Sequence, residues 1–302
     1  MKALVPVDQL FELNREIYPF LDSFSNPLIV VGGQAVSYWL AYYDIDGLLT
    51  DEERLHATSV DIDYCGLKQD FIRCSDIWNV HFEMPSISDA TPEIGHSILL
   101  DKITHNIKEH DGALFLDIIE WQDSHKKSPN IVDILSEPAG FHSIDFKNKR
   151  LEQHCSLFEF PEVFELCPHP NLRILNPLGC LKSRLLNYLL LPRVKRPTKE
   201  VERIKLLISP VIKFLTDYLA ENGYRSTRKY IDLYMLLVKS KASMKLLTLE
   251  SIDLSIGFAY FVEKNSAMLP SSFIDNEYKL WKSGLDNKIS RKIKQLAEYR
   301  GA

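Results

Sequence analysis

LIVVGGQAVSYWLAYYD, residues 28–44, is the stretch from which the fold can be read. Four apolar residues, Leu28 to Val31, suit a buried strand, and Ala35, Trp39 and Tyr43 then recur at helical spacing. Gly32 and Gly33 stand between the two patterns, so the chain predicts a strand, a glycine turn and a helix. Backbone N–H groups near Gly33 and Gln34 would open that helix with no side chain in the way, an arrangement that suits a phosphate.

Working outward, DQLFELNREIYPFLDSF (8–24) carries Leu10, Leu13, Ile17 and Leu21 at steps of three and four and predicts an amphipathic helix ended by Asn26 and Pro27. TSVDIDYCG (58–66) predicts a short strand with Asp61 and Asp63 on one face, because side chains alternate along a strand. A helix is expected over HSILLDKITHNIKEHDG (96–112), closed by Gly112. ALFLDIIEW (113–121) and NIVDIL (130–135) read as strands, joined by a hairpin or loop over QDSHKKSP. Residues 146–175 read as connecting strands and loops broken by Pro161, Pro168 and Pro170.

The pattern then turns helical. Asn176 followed by Pro177 predicts a helix start, Gly223 a helix end, and Pro210 a kink between them. The expected fold is α/β (α+β): a mixed sheet flanked by helices over residues 1–145, then a mainly helical domain over 146–302. A chain of 302 residues is long enough for two domains.

Net charge is −5, from 36 Lys and Arg against 41 Asp and Glu, so the whole chain does not advertise a nucleic-acid or membrane binder. Charge is uneven, however: Arg173 to Lys205 holds nine basic residues against two acids, leaving −12 on the remainder. Such a patch suits a triphosphate or an RNA backbone. No secretory signal and no run of ~18 apolar residues is apparent, and five cysteines without a CxxC pair suit a reducing compartment, so a cytoplasmic location is expected. His154, Cys155, Cys167, His169 and Cys180 match no zinc-finger spacing.

Asp61, Asp63 and a third acid on a neighbouring strand would form a carboxylate cluster. Asp133 is the preferred third member, and Asp117 in ALFLDIIEW is the alternative. Two like charges ~4 Å apart repel by about 4 kcal/mol at an effective dielectric of about 20, so such a cluster calls for cations between its oxygens. Hard oxygen donors with room for phosphates point to Mg²⁺ or Mn²⁺.

The glycine pair at a helix start, the Asp-x-Asp strand and the later Asp together resemble the nucleotidyltransferase superfamily of the DNA polymerase beta type. ILNPLGCLKSRLLNY followed by RPTKEVERIKLL is similar to the corresponding region of AbiEii-like bacterial nucleotidyltransferases from toxin–antitoxin systems. The resemblance implies metal-dependent transfer of a nucleotidyl group from a nucleoside triphosphate such as ATP to a hydroxyl on RNA or tRNA, a protein or a small molecule. It further implies metal ligation by Asp61, Asp63 and Asp133, and phosphate binding near Gly32, Gly33 and Gln34. Lys182 would contact phosphate, Arg196 and Lys199 would mark the basic segment, and a small antitoxin-like protein would be a partner. A degenerate nucleotide- or RNA-binding protein of the same fold is the alternative. Two other Asp-x-Asp chemistries fit less well. A haloacid-dehalogenase-type phosphatase wants Thr or Val two places after the second Asp, where Cys65 stands, and a glycosyltransferase leaves the glycine turn unexplained.

Overall fold

The computed structural model describes residues 2–85, 93–117, 128–147, 150–190 and 198–301. The chain divides into two compact units, Met1–Ser183 and Arg184–Ala302, and the division falls inside a helix.

In the first unit, β1 (Lys2–Ala3) leads into α1 (Pro6–Ile17), which continues as a 3-10 turn over Tyr18–Ser23. Pro19, lacking an N–H, sits where the α-helix gives way, so the helix stops earlier than Asn26 and Pro27 suggest. β2 (Leu28–Val30) runs into α2 (Gly32–Tyr42) as the sequence predicts. After α3 (Asp51–Ala57), with its Thr50–Glu53 capping box, come β3 (Ile62–Cys65), α4 (Lys68–Ile77), β4 (Val80–Glu83) and β5 (Glu93–Asp101).

The helix expected over 96–112 is not formed. Strand β5 occupies its first half, and the short β6 (Glu109–His110) and β7 (Ala113–Leu114) occupy and follow its end. Burial in β5 alternates through Gly95, Ser97 and Leu99, so the side facing the core is made mostly of small residues. Hydrogen-bonded neighbours on both sides, rather than local preference, hold the segment extended.

β8 (Ile131–Leu135), α5 (Leu151–His154), β9 (Cys155–Leu157) and β10 (Leu172–Leu175) complete the sheet-forming elements. Seven strands form one mixed sheet in the order β4-β5-β8-β3-β2-β10-β9, while β1, β7 and β6 form a small separate one. Because β10 pairs in parallel with β2 and carries β9 on its other side, the first unit extends beyond residue 145, where the sequence suggests a boundary. The hairpin or loop expected over 122–129 falls largely outside the described residues.

One face of this sheet is closed. Ile62, Tyr64, Val132 and Ile134 are buried there. The Tyr64 hydroxyl donates to Asn14 Oδ1 at 2.7 Å, and Trp78 Nε1 donates to the Leu13 carbonyl at 3.0 Å, tying α1 and α4 into the core. The alternate residues of the same strands, Asp63 and Asp133, therefore point to the other face.

α6 (Pro177–Leu190) starts as expected: Asn176 Oδ1 accepts from the Gly179 N–H at 2.8 Å, and Pro177 opens the helix. α7 (Thr198–Val238) is two helices broken at Gly223, whose φ of 71° suits glycine, so the predicted end is present. α8 (Lys241–Glu250), α9 (Leu254–Lys264) and α10 (Lys279–Gly301) follow. Phe258 centres their packing, 5.4 Å from the Tyr234 ring and 5.1 Å from Trp281. Among the described residues, no helix is long and apolar enough to cross a membrane.

Candidate functional site

The site begins where β2 turns into α2. Val31 is still extended and its N–H donates to the Asp63 carbonyl at 2.9 Å; Gly32 then takes a φ of 68° and starts the helix. A Cβ built on Gly32 would fall on the Asp63 carboxylate. The glycine is therefore required twice, by its backbone angle and by the acid lying against it. First-turn N–H groups of a helix lack intrahelical acceptors and carry partial positive charge, so the start of α2 can attract an anion beside that acid.

Gln34 contributes differently from what its position suggests. Its side chain is fully buried, and Nε2 donates to the Ser59 carbonyl at 2.6 Å and to the Pro6 carbonyl at 3.2 Å. Its side chain ties the helix start to the segment before β3, leaving the backbone N–H as the group that could meet a phosphate.

Strands β3 and β8 are parallel neighbours, and Asp63 stands directly opposite Asp133. On the far side of β8, His96 of β5 is opposite Asp133, and on β4 Glu83 is opposite His96. Glu83, His96, Asp133 and Asp63 thus form one row across four strands of the open face. His96 Nε2 lies 3.5 Å from Glu83 Oε2 at one end of it. Asp61 is exposed just ahead of β3, two residues before Asp63 and so on the same side.

Glu93 belongs to this group, although sequence reasoning missed it. An odd separation of three residues would place Glu93 and His96 on opposite faces of a regular strand. A bulge between Glu93 and Gly95 sets Glu93 opposite Leu135, which shares the face of Asp133. Gly95 permits the bulge, since a Cβ there would strike the Phe82 ring and the Glu83 carbonyl. The signal available in sequence was the glycine two residues after an acid in a strand-like run.

Asp133 responds to these surroundings. Its carboxyl is pushed up to about 7 by burial first, then by the negative charges of Glu93, Asp63 and Asp61. A half-buried acid among acids is relieved by a cation or by a proton. Among the described residues, no group of three or more His, Cys, Asp or Glu side chains is gathered to hold a metal ion. The donor chemistry nonetheless fits Mg²⁺, which is ordinarily held by one or two carboxylates together with waters and substrate phosphates rather than by an all-protein cage.

Asp117 lies elsewhere. It follows an isolated bridge between Leu116 and Pro129, beyond β7 and outside the seven-stranded sheet, and its N–H donates to the Ser128 carbonyl. Asp133, not Asp117, is the acid brought beside Asp63.

The basic residues divide. Lys182 Nζ lies 3.6 Å from Asp145 Oδ2 and 4.0 Å above the Phe141 ring centre; burial pulls its ammonium pKa down, opposed by Asp145. Nearby, His154 is driven to about 4 by burial first and the Lys182 charge second. Arg184 and Arg203, two of the nine cations between 173 and 205, are buried and converge on Glu200 Oε1 at 2.9 and 3.5 Å, so they build the second unit's interior rather than a surface patch. Lys199 stands in the first turn of α7, and Arg196 lies outside the described residues.

Two residues along β3 from Asp63, on the same face, Cys65 joins Ile29, Ser136, Ser143, Phe146 and Lys147 around a cavity of about 110 Å³. Cys65 Sγ contacts the Ser136 carbonyl at 3.3 Å, and burial holds its thiol up at about 12. Of the five thiols, Cys167 is exposed and the other four are buried. No protein-family model, no curated protein and no solved structure matches this chain.

Proposed function

We propose that the protein is a metal-dependent nucleotidyltransferase that moves a nucleoside monophosphate from a nucleoside triphosphate to a hydroxyl acceptor. The observation that carries the reading is the register of Asp63 with Asp133 on adjacent parallel strands, with the Gly32 turn closed on the Asp63 carboxylate.

In this reading Asp63 and Asp133, with Asp61 beside them, hold Mg²⁺ or Mn²⁺ at the open face. When bound, such an ion neutralises phosphate charge and lowers the pKa of an attacking hydroxyl. The N–H groups at the start of α2 receive the outer phosphates. The cavity beside Cys65 lies one step along the same strand face, where the nucleoside would extend from those phosphates. An acceptor oxygen forms its bond to the α-phosphorus as the bond to the bridging oxygen breaks. Pyrophosphate leaves with that electron pair, and the acceptor's proton passes to solvent.

The acceptor belongs to one of three classes, RNA or tRNA ends, protein hydroxyls or small molecules, and a small antitoxin-like partner is part of the same proposal. Incubation with each α-labelled triphosphate, Mg²⁺ and total RNA, protein or small-molecule acceptors tests it. Label transfer with pyrophosphate release, abolished in Asp63→Ala while the circular-dichroism spectrum is kept, is expected. Wild-type transfer by that variant would sink the mechanism. A second reading, a nucleotide-binding protein without transfer, is favoured by the exposure of Asp61 ahead of β3, which leaves Asp63 and Asp133 as the acids in register. Metal-dependent nucleotide binding with no label transfer to any acceptor class would select it.

A further inference from the structure

Charge is divided between the two units. Residues 184–302 carry 22 Lys and Arg against 12 Asp and Glu, net +10, so residues 1–183 carry −15 to give the chain's −5. Within the second unit the cations concentrate on α10, where Lys288, Arg291, Lys292 and Lys294 fall within one stretch that contains no acid between Asp286 and Glu298. Asp286 is itself held by Lys282 at 2.7 Å.

Three of these cations, Lys288, Arg291 and Lys292, border a concavity. Gly284, Lys288, Arg291 and Gln295 follow one stripe of α10 at about 100° per residue, and with Asn287 and Lys292 they line a cavity of about 420 Å³. Lys239, just past the end of α7, stands beside it. A Cβ at Gly284 would stand 3.6 Å from its ammonium, and Lys288 Nζ donates to its carbonyl at 2.6 Å. Among the described residues, Arg291 and Lys292 form no ion pair. Several positive side chains therefore share one groove whose repulsion an anion would relieve. Of the other lining residues, Asn287 and Gln295 also carry N–H donors, while Met244 is apolar.

We infer that this groove binds the phosphodiester backbone of a single-stranded nucleic acid. The donors repeat along successive helical turns, ~5.4 Å apart, which suits a chain of phosphates better than one isolated anion. The groove is concave, so it admits a strand that can bend into it rather than the face of a stiff duplex. A membrane surface fits less well: of the exposed apolar side chains described on α10, Leu280 lies on the Gly284 side and Ile293 on the opposite one, too few and too divided for a continuous apolar face beside the cations. The Trp281 ring is packed against Phe258 and, among the described residues, no aromatic side chain lines the groove, so binding is insensitive to sequence.

The test is fluorescence anisotropy of the full chain with a labelled single-stranded RNA 20-mer across a salt series. Wild type is compared with Lys288→Gln/Arg291→Gln/Lys292→Gln and with the charge-retaining Lys288→Arg/Arg291→Lys/Lys292→Arg. Expected are at least tenfold weaker binding in the glutamine variant, a salt slope shallower by about 2, and near wild-type binding in the charge-retaining one. Equal affinity and slope in the glutamine variant, absence of binding by wild type, or capture by phosphatidylserine vesicles that RNA does not displace, would each overturn the inference. Asp63→Ala, which removes the proposed transfer, keeps oligonucleotide binding, so this inference and the nucleotidyltransferase reading fail separately.

Discussion

The Asp63 carboxylate occupies the space that a side chain at Gly32 would need. One residue without a Cβ thus sets both the angle at which α2 leaves the sheet and the room in which an acid can stand at that helix's start. Gly32→Ala meets a strained φ and a steric overlap together. A loss of about 1–3 kcal/mol in stability is expected from the backbone angle alone, and displaced Asp63 should remove metal-dependent nucleotide binding. Thermal denaturation with and without ATP and Mg²⁺ separates the two effects.

Asp133 makes stability depend on pH in a defined sense. Its folded pKa of about 7 exceeds the ordinary carboxyl value of about 3.9, so the folded state binds more protons between those limits. Stability contributed by this group therefore falls as pH rises from about 4 to about 7. Asp133→Asn should lose that dependence and be more stable than wild type at pH 8, by ~1–2 kcal/mol after solvent screening is allowed for. Denaturant melts of both proteins at pH 5 and pH 8, without divalent ions, measure it. Equal pH dependence in the two would contradict the assignment.

Glu93 should be felt through Asp133. Replacing it with Gln removes the negative charge that acts most strongly on that carboxyl and should lower its folded pKa, so that the fall in stability with rising pH levels off at a lower pH than in wild type. NMR titration of Asp133, or the midpoint of the pH–stability curve, provides the readout. An unmoved midpoint would remove Glu93 from the site.

Nucleotide binding has an expected size. Mg²⁺ with the preferred triphosphate at 100 times its Kd adds about 2.7 kcal/mol, several degrees in melting temperature. Asp61→Ala/Asp63→Ala should abolish the shift, and the ranking of ATP, GTP, CTP and UTP would identify the preferred base. No shift with any nucleotide in wild type would count against the proposed function.

In the second unit, Glu200 accepts from Arg184 and Arg203 in a buried setting. Glu200→Ala leaves two guanidinium groups buried without their acid and should cost about 3–5 kcal/mol. Urea unfolding measures that cost. A change under 1 kcal/mol would mean that water reaches the pair.

The sequence made the centre of the site legible and its flank illegible, for physical reasons. Leu28–Val31, the glycine pair and the helical recurrence of Ala35 and Trp39 are local signals that tertiary packing leaves in force. Asp63 and Asp133 were legible because each lies in a short apolar run whose period of two exposes it. β5 was not, because its core-facing positions include Gly95 and Ser97, while Ile98, Leu99, Ile103 and Ile107 imitate a helical stripe. The bulge that turns Glu93 toward Asp133 exists only once β8 is alongside. Arg184 and Arg203 looked like patch residues since burial beside Glu200 depends on contacts that no local pattern contains.

The distribution of the five thiols carries a practical consequence. With Cys167 exposed and Cys65, Cys74, Cys155 and Cys180 enclosed, the native chain presents one sulfur to a reagent and the unfolded chain five. Burial also raises the thiol pKa of Cys65, Cys74 and Cys155, and all four enclosed sulfurs are shielded, so their reaction must wait for an opening of the fold. Counting labelled sulfurs against time therefore turns the unaltered protein into its own clock of breathing, with a single fast tick followed by four slow ones.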